Sequence, residues 1–241
     1  YSAFTYYIGF KVNSGEYKLM GLAPYGQPKY TDIIKDNLID IKEDGSFRIA
    51  QEYFDYSTGL KMTSSKFDSL FGKAPRNAKI EKIEQFHMDI AASIQKVTEE
   101  VMLKIAKSLK NEYKINNLCL AGGVALNCVA NGKILEEKLF DKIWIQPAAG
   151  DAGGSIGSAL ALWHKELDNK RIYQKDRNDL MQGSYLGPEF SQNQIESELN
   201  RLGAKYNVFN DQEIIEKTTL SLISGNAIGW FQGRMEFGPR A

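Results

Sequence analysis

The chain has 241 residues, enough for one large domain or two smaller ones with a real hydrophobic core. Its 30 Lys and Arg residues cancel its 30 Asp and Glu residues, which leaves no electrostatic grip on nucleic acid or an anionic membrane, so a small-molecule partner is expected. The composition, 43% hydrophobic and 25% charged, is that of a globular enzyme; no apolar run approaches the roughly 18 residues of a membrane span, and Tyr1-Ser2-Ala3-Phe4-Thr5 has no secretory character.

Residues 1–26 open on an aromatic segment and continue into a helix around Gly15 to Leu22, which Ala23-Pro24-Tyr25-Gly26 stops. From about 27 to 79 the pattern is irregular, with a hairpin expected around Asp44-Gly45, an aromatic strand from Phe47 to Tyr56, and a polar stretch carrying Lys61, Ser64, Ser65, Lys66 and Arg76. This reads as an insertion, either shaping an acceptor pocket or making a surface excursion. Next, Ile80, Ile83, Phe86, Ile90, Ile94, Val97, Val101, Ile105 and Leu109 recur every three or four residues and predict a long core helix. His87 lies beside that stripe and is expected to be packed and hydrogen-bonded rather than a ligand.

The order then becomes strand 117–121, helix 125–138, strand 143–146 and helix 153–167, an α/β alternation. Cys119 and Cys128 fall in the first strand and on the helix after it, without zinc spacing, and are expected to be reduced, buried residues of a cytoplasmic protein. A polar, charged stretch at about 167–184 is the best candidate boundary. Beyond it, helices are expected from Gln192 to Leu202 and from Asp211 to Ser224, then a strand from Ala227 to Gln232, before Gly233-Arg234-Met235-Glu236-Phe237-Gly238-Pro239-Arg240-Ala241.

One layout occurs twice: a short apolar strand running into glycines that open a helix. Leu118-Cys119-Leu120-Ala121-Gly122-Gly123-Val124-Ala125-Leu126-Asn127 is the first copy, and Ile143 through Ser155, with Gly150-Asp151-Ala152-Gly153-Gly154, is the second. Bare backbone at a helix start offers N–H groups and a positive dipole end to phosphate oxygens. Each copy alone also suits plain strand-to-helix packing; together they point to a nucleotide. Asn127 is placed to bond a ribose or base, or to face solvent. Asp151 is placed either as a helix cap or as a hard ligand for a divalent metal near phosphates.

Four segments carry a resemblance: Ser14 to Gly26, Leu118 to Asn131, Ile143 to Ala159, and Trp230 to Ala241. In that order they resemble the carbamoyltransferases typified by nodulation-factor and antibiotic-tailoring O-carbamoyltransferases. The resemblance implies an actin-like ATPase (ribonuclease H-like) domain, related to the enzyme that transfers threonylcarbamoyl to tRNA, followed by a smaller α/β domain resembling threonylcarbamoyl-adenylate synthase. The expected organisation is the C-terminal part of the actin-like domain over 1–167, a linker at 168–184, and the start of the second domain over 185–241.

The implied reaction makes carbamoyl-adenylate from carbamoyl phosphate and ATP in the second domain and passes the carbamoyl group to a small hydroxyl acceptor in the first. By position, the resemblance makes Asp151 the metal-ligating and catalytic aspartate, with iron as the expected divalent ion in the full-length protein. It places Gly122, Gly123 and Asn127 around the adenylate, Gly153 and Gly154 at its phosphate, and Lys18 and Gly26 along the pocket, with Lys18 as a second catalytic candidate. Arg234 and Arg240 resemble phosphate-binding arginines, whose forked guanidinium suits carbamoyl phosphate or ATP oxygens, although either also suits a surface ion pair. The family's paired metal histidines are expected upstream of Tyr1, since His87 and His164 do not match them. Because Ala241 falls inside the arginine motif, the chain is expected to be an internal piece, inactive alone, of an enzyme that could be a homo-oligomer. A tRNA-modifying or sugar-kinase-like actin-fold enzyme, and a non-catalytic fragment, are the competing readings.

Overall fold

A computed structural model describes residues 1–171, 179 and 181–238; Arg240 and most of the polar stretch at 172–180 lie outside the described residues. The chain forms two compact units, Tyr1–Gln146 and Pro147–Ala241. The polar stretch expected as a linker thus belongs, where it is described, to the second unit.

In the first unit, α1 (Ser2–Tyr7), α2 (Glu16–Leu22), α3 (Thr31–Asn37), β1 (Ile39–Ile41), β2 (Phe47–Ile49) and α4 (Ser65–Phe71) gather on one side of α5 (Gln85–Tyr113). The apolar stripe of α5 explains this arrangement. Its first half presents Phe86, Ile90, Ile94 and Val97 to a cluster containing Phe4, Tyr7, Ile34, Phe67 and Phe71. Ring edges meet ring faces there, with Phe4 and Tyr7 both about 5 Å from Phe67 by centroid. The second half of α5 turns Met102, Leu103 and Ala106 toward Leu118, Ile134 and Phe140, whereas Ile105 and Leu109, expected on the buried stripe, are exposed because the second cluster packs on a neighbouring face of the helix.

The helix begins at Gln85, five residues after the first apolar position of the predicted stripe. His87 sets this start: its Nδ1 accepts from the Glu84 N–H at 2.9 Å, so the buried imidazole serves as part of a cap. Burial, and then the nearby Arg76 guanidinium, hold its pKa below the usual histidine value. Ile80 and Ile83 are left outside the helix and exposed, because residues 77–81 close their own turn through the Ile80 N–H and the Asn77 carbonyl.

The expected hairpin forms, pairing Ile39 with Ile49 and Ile41 with Phe47, while Gly45 takes the left-handed turn position at φ 84°. The aromatic strand is shorter than expected. After Ile49 the chain enters a 3-10 turn at Gln51–Tyr53, and Phe54 bridges Thr63 while its ring packs on Phe67. The α/β alternation is also present. β3 (Asn117–Leu120) and β4 (Lys142–Ile145) pair in parallel, joined by α6 (Cys128–Glu136) as a parallel crossover requires. Alternation in β3 buries Leu118 and exposes Cys119; Cys128, the first residue of α6, is exposed too, with its sulfur 3.9 Å from that of Met20. Neither cysteine is the buried residue expected.

In the second unit α7 (Asp151–Ala161) runs on into a π-helical turn at Leu162–Glu166, followed by α8 (Gln192–Arg201) and α9 (Asp211–Ile223). Both later helices open with reciprocal caps, Ser191 with Gln194 and Asn210 with Glu213. None of the three buries an apolar side chain. The segment 227–232, expected as a strand, has no ladder partner among the described residues and is not one. Instead the backbone of 184–188 pairs with 235–237: Gly187 N–H donates to the Met235 carbonyl at 2.9 Å and Phe237 N–H to that of Ser184 at 2.7 Å. No described helix is long and apolar enough to cross a membrane.

Asp89 straps the segment after α2 to α5. Its buried carboxylate accepts from Lys29 Nζ at 2.6 Å, the Gln27 N–H at 2.9 Å and Gln85 Nε2 at 2.8 Å. Burial pushes its pKa up, but the hydrogen bonds from Lys29, Gln27 and Gln85 together outweigh it and leave the carboxyl below the usual aspartate value. A depressed folded pKa contributes stability that is fully present above the unfolded value, about 3.9, and is lost as pH falls through the folded one. The stability difference between wild type and Asp89→Asn should therefore be widest above about pH 4 and close below it; urea melts between pH 6 and pH 2 showing a constant gap would count against this strap.

Candidate functional site

The first glycine turn is built on the end of β3, where Gln146 N–H donates to the Leu120 carbonyl at 3.0 Å as the last rung. Gly122 follows at φ 98°, ψ 161°, a conformation suited to glycine. A 3-10 turn, Gly123–Leu126, then intervenes before α6, closed by Ala125 N–H on the Gly122 carbonyl and Asn127 N–H on that of Val124. Sequence periodicity placed an α-helix start here. Instead the exposed donors belong to the tighter turn. The N–H groups of Gly123 and Val124 have no acceptor among the described residues, and a Cβ built on Gly122 or Gly123 would meet no atom within 4 Å. This is open backbone with two orphan donors, an arrangement suited to anionic oxygens.

Asn127 does not face outward. It is buried, and its Oδ1 caps α6 by accepting the Ala130 N–H at 3.1 Å. Its carboxamide also pairs with that of Gln95 on α5. Gln95 has no counterpart among the residues singled out from sequence; its signal is a lone amide between Ile94 and Lys96 beside an apolar stripe.

Gly26 is packed rather than open: a Cβ there would collide with the Met88 carbonyl of α5. It borders a cleft of about 260 Å³ whose wall also includes Met20, Gln95, Glu99 and Val129. Lys18 is exposed on α2, with its ammonium 5.8 Å from the centre of the Tyr17 ring. A second hollow, of about 470 Å³, lies between α3 and the hairpin and carries charges of both signs, Lys35 and Arg48 with Asp36, Asp40 and Glu52.

The second glycine turn lies in the other unit. Gly150 occupies the N-cap position of α7, so Asp151 is the first helical residue and not the cap. Its exposed carboxylate forms no hydrogen bond or ion pair among the described residues, and it sits where the helix dipole favours a negative charge. Gly153 and Gly154 both turn their N–H groups back onto the Gly150 carbonyl, at 3.1 and 3.3 Å, so these donors are engaged by the helix itself. Arg234 donates from Nη1 to the Gly187 carbonyl at 2.9 Å and lies 3.5 Å from the Glu189 carboxylate. Among the described residues no three His, Cys, Asp or Glu side chains converge as a metal site would require.

A long core helix feeding a parallel β-α-β unit with an open glycine turn defines an α/β protein. Residues 1–160 match the family described as carbamoyltransferase N-terminus, and the chain belongs to that family. It is 59% identical, over its whole length, to an uncharacterized protein of Synechocystis sp., of which it covers 39%. It is 32% identical to nodulation protein NolO of Bradyrhizobium diazoefficiens, over 94% of this chain and 38% of that protein. Nodulation protein NolNO of Sinorhizobium fredii is likewise 32% identical, over 98% of this chain and 32% of its own length. The chain thus spans less than two-fifths of these relatives.

The three glycines separate by the space around them. Gly123→Ala should leave thermal stability near wild type, since the added methyl meets nothing. Gly122→Ala should cost about 1 kcal/mol or more through its positive φ. Gly26→Ala should be the most damaging, because backbone rather than a flexible side chain occupies the space. Chemical denaturation of the three variants checks the order, and equal losses would show that the fold, not a ligand, keeps Gly123 bare.

Proposed function

We propose that the protein containing this chain is an O-carbamoyltransferase that moves a carbamoyl group from carbamoyl phosphate, through carbamoyl-adenylate, to a hydroxyl of a small acceptor. The observation that carries this reading is the open Gly122–Gly123 backbone within the stretch that matches the carbamoyltransferase N-terminus. The nucleotide fits what is there: two unpaired N–H groups and room for a phosphate to approach the main chain. In this reading the first unit is part of an actin-like ATPase fold and holds the adenylate, and the arginine-bearing end begins the domain that forms it.

The residues divide the work by their chemistry. AMP is a good leaving group, so transfer chiefly requires that its phosphate be held and its departing charge met by fixed donors. Gly123 and Val124 N–H groups supply such donors. Lys18, with its ammonium in solvent, is available to an anionic substrate passing along α2. Arg234 presents a guanidinium anchored by the Gly187 carbonyl and flanked by the Glu189 carboxylate at 3.5 Å, leaving its outer N–H groups to meet phosphate oxygens. The two substrates are metabolites of the cytoplasm, which is where we place the enzyme.

A divalent ion was expected at Asp151. A lone exposed carboxylate supplies too few ligands, so Asp151 serves as a ligand only with donors from beyond the described residues, and no step is assigned to a metal.

Separate assays of the two half-reactions in the full-length protein test this division. Arg234→Ala should block formation of carbamoyl-adenylate from carbamoyl phosphate and ATP, yet leave transfer from supplied carbamoyl-adenylate intact. Gly123→Val, which fills the open backbone proposed to hold the adenylate, should do the reverse. Equal loss of both activities in both folded variants would sink the two-site assignment.

A further inference from the structure

Gln95 lies in the first half of α5 at the border of its apolar stripe and is 5% exposed. Burying a long amide costs rotamer entropy and hydration, so such a residue persists where its hydrogen bonds are met. Those of Gln95 are met. Asn127 Nδ2 donates to Gln95 Oε1 at 2.9 Å, and Gln95 Nε2 donates back to Asn127 Oδ1 at 3.2 Å. Gln95 Nε2 also donates to Glu99 Oε1 at 2.9 Å, and its Oε1 accepts from the Tyr1 hydroxyl at 3.0 Å. At the far end the network reaches the main chain of the glycine turn. Asn127 closes that turn with its own N–H on Val124, and the neighbouring Asn131 Nδ2 donates to the Ala125 carbonyl at 2.7 Å.

The turn needs such an anchor. Gly122 and Gly123 have no side chains, and the space where a Cβ would lie is open at both, so side-chain packing does not fix their conformation. Order is imposed from the flanks: by the β3–β4 ladder on one side and by Asn127 on the other. We infer that Gln95 is a positioning residue, which through Asn127 holds the Gly122–Leu126 turn so that the Gly123 and Val124 N–H groups stay aligned for a nucleotide phosphate. This rests on the reading of that turn as a nucleotide-binding element. Donors fixed before binding add affinity because the ordering cost is not met at the moment of association.

The test uses the full-length protein with AMP as the probe, read by calorimetry and by amide exchange over residues 121–127. Gln95→Leu strands the Asn127 amide, so AMP should bind about tenfold more weakly. Exchange should speed at 122–126 while the core half of α5 stays protected. Gln95→Asn keeps an amide in the buried position but is one methylene too short to span both partners. It should shift both readouts in the same direction, and it serves if the leucine variant does not fold. A role in stability alone would lower the melting temperature and leave AMP affinity within twofold of wild type, which would overturn the inference while Gly123→Val still abolished AMP binding. Should Gly123→Val itself leave AMP affinity unchanged, the nucleotide reading falls and the inference falls with it.

Discussion

The length of α5 and the two jobs it must do constrain everything else in the first unit. A helix of 29 residues is about 43 Å long at 1.5 Å per residue, too long for a single cluster of this size to cover. Its packing is therefore shared between the aromatic cluster around Phe67, which meets the first half of the stripe, and the smaller one around Ile134, which meets Met102, Leu103 and Ala106. Apolar packing of this kind is strong but indifferent to small rotations. The polar contacts supply the registration. Asp89 fixes the approach of residues 26–30, with Ser93 accepting the Tyr30 N–H at 3.0 Å, and Gln95 fixes Asn127 a turn and a half further on. One helix thereby sets both the packed glycine, Gly26, and the open ones, Gly122 and Gly123.

That pair of opposite glycine environments shows why sequence motifs read well as layout and less well as roles. The order of elements was legible because period and punctuation are local: the first half of the α5 stripe, the Asp44-Gly45 hairpin and the β-α-β alternation. The start of α5 was not, since Ile80 and Ile83 continue the apolar spacing while the hydrogen bonds of Asn77 and Glu84 break the helix. Cys119 follows from alternation once β3 is known to have one buried face, which an apolar string does not disclose. Segment 227–232 has strand-like residues but no ladder partner among the described residues, and a ladder is a tertiary property.

The same distinction governs the site. Gly26, Gly122 and Gly123 look alike in sequence, and only the positions of neighbouring backbones tell that the first admits a helix and the others leave space. Asn127 looks like a ligand-facing amide, yet its hydrogen bonds are directed inward. Gly122 and Gly123 present bare main chain, while Asn127, expected to bond a ribose or base or to face solvent, is buried and caps α6. Gln95, which braces it in turn, carries no motif because its importance arises from a partner 32 positions away.

The second unit shows the limit of local signals from the other direction. Reciprocal caps at Ser191 and Asn210 satisfy helix-end donors and define where α8 and α9 start. Capping alone leaves helices of 10 and 13 residues marginal in water, because nucleation is costly and most helix stability in proteins comes from a buried face. Here the apolar faces, with Ile195, Leu202, Ile215, Leu220 and Ile223 among them, are exposed, and the only buried apolar residues among those described in this unit are Ala148 and Ala149, which precede α7. Local sequence therefore specifies these helices, whereas packing holds the glycine turn of the first unit. A turn whose glycines are bare backbone depends on the latter: with no side chains at Gly122 and Gly123 to lock it, its geometry is only as definite as the core helix behind it.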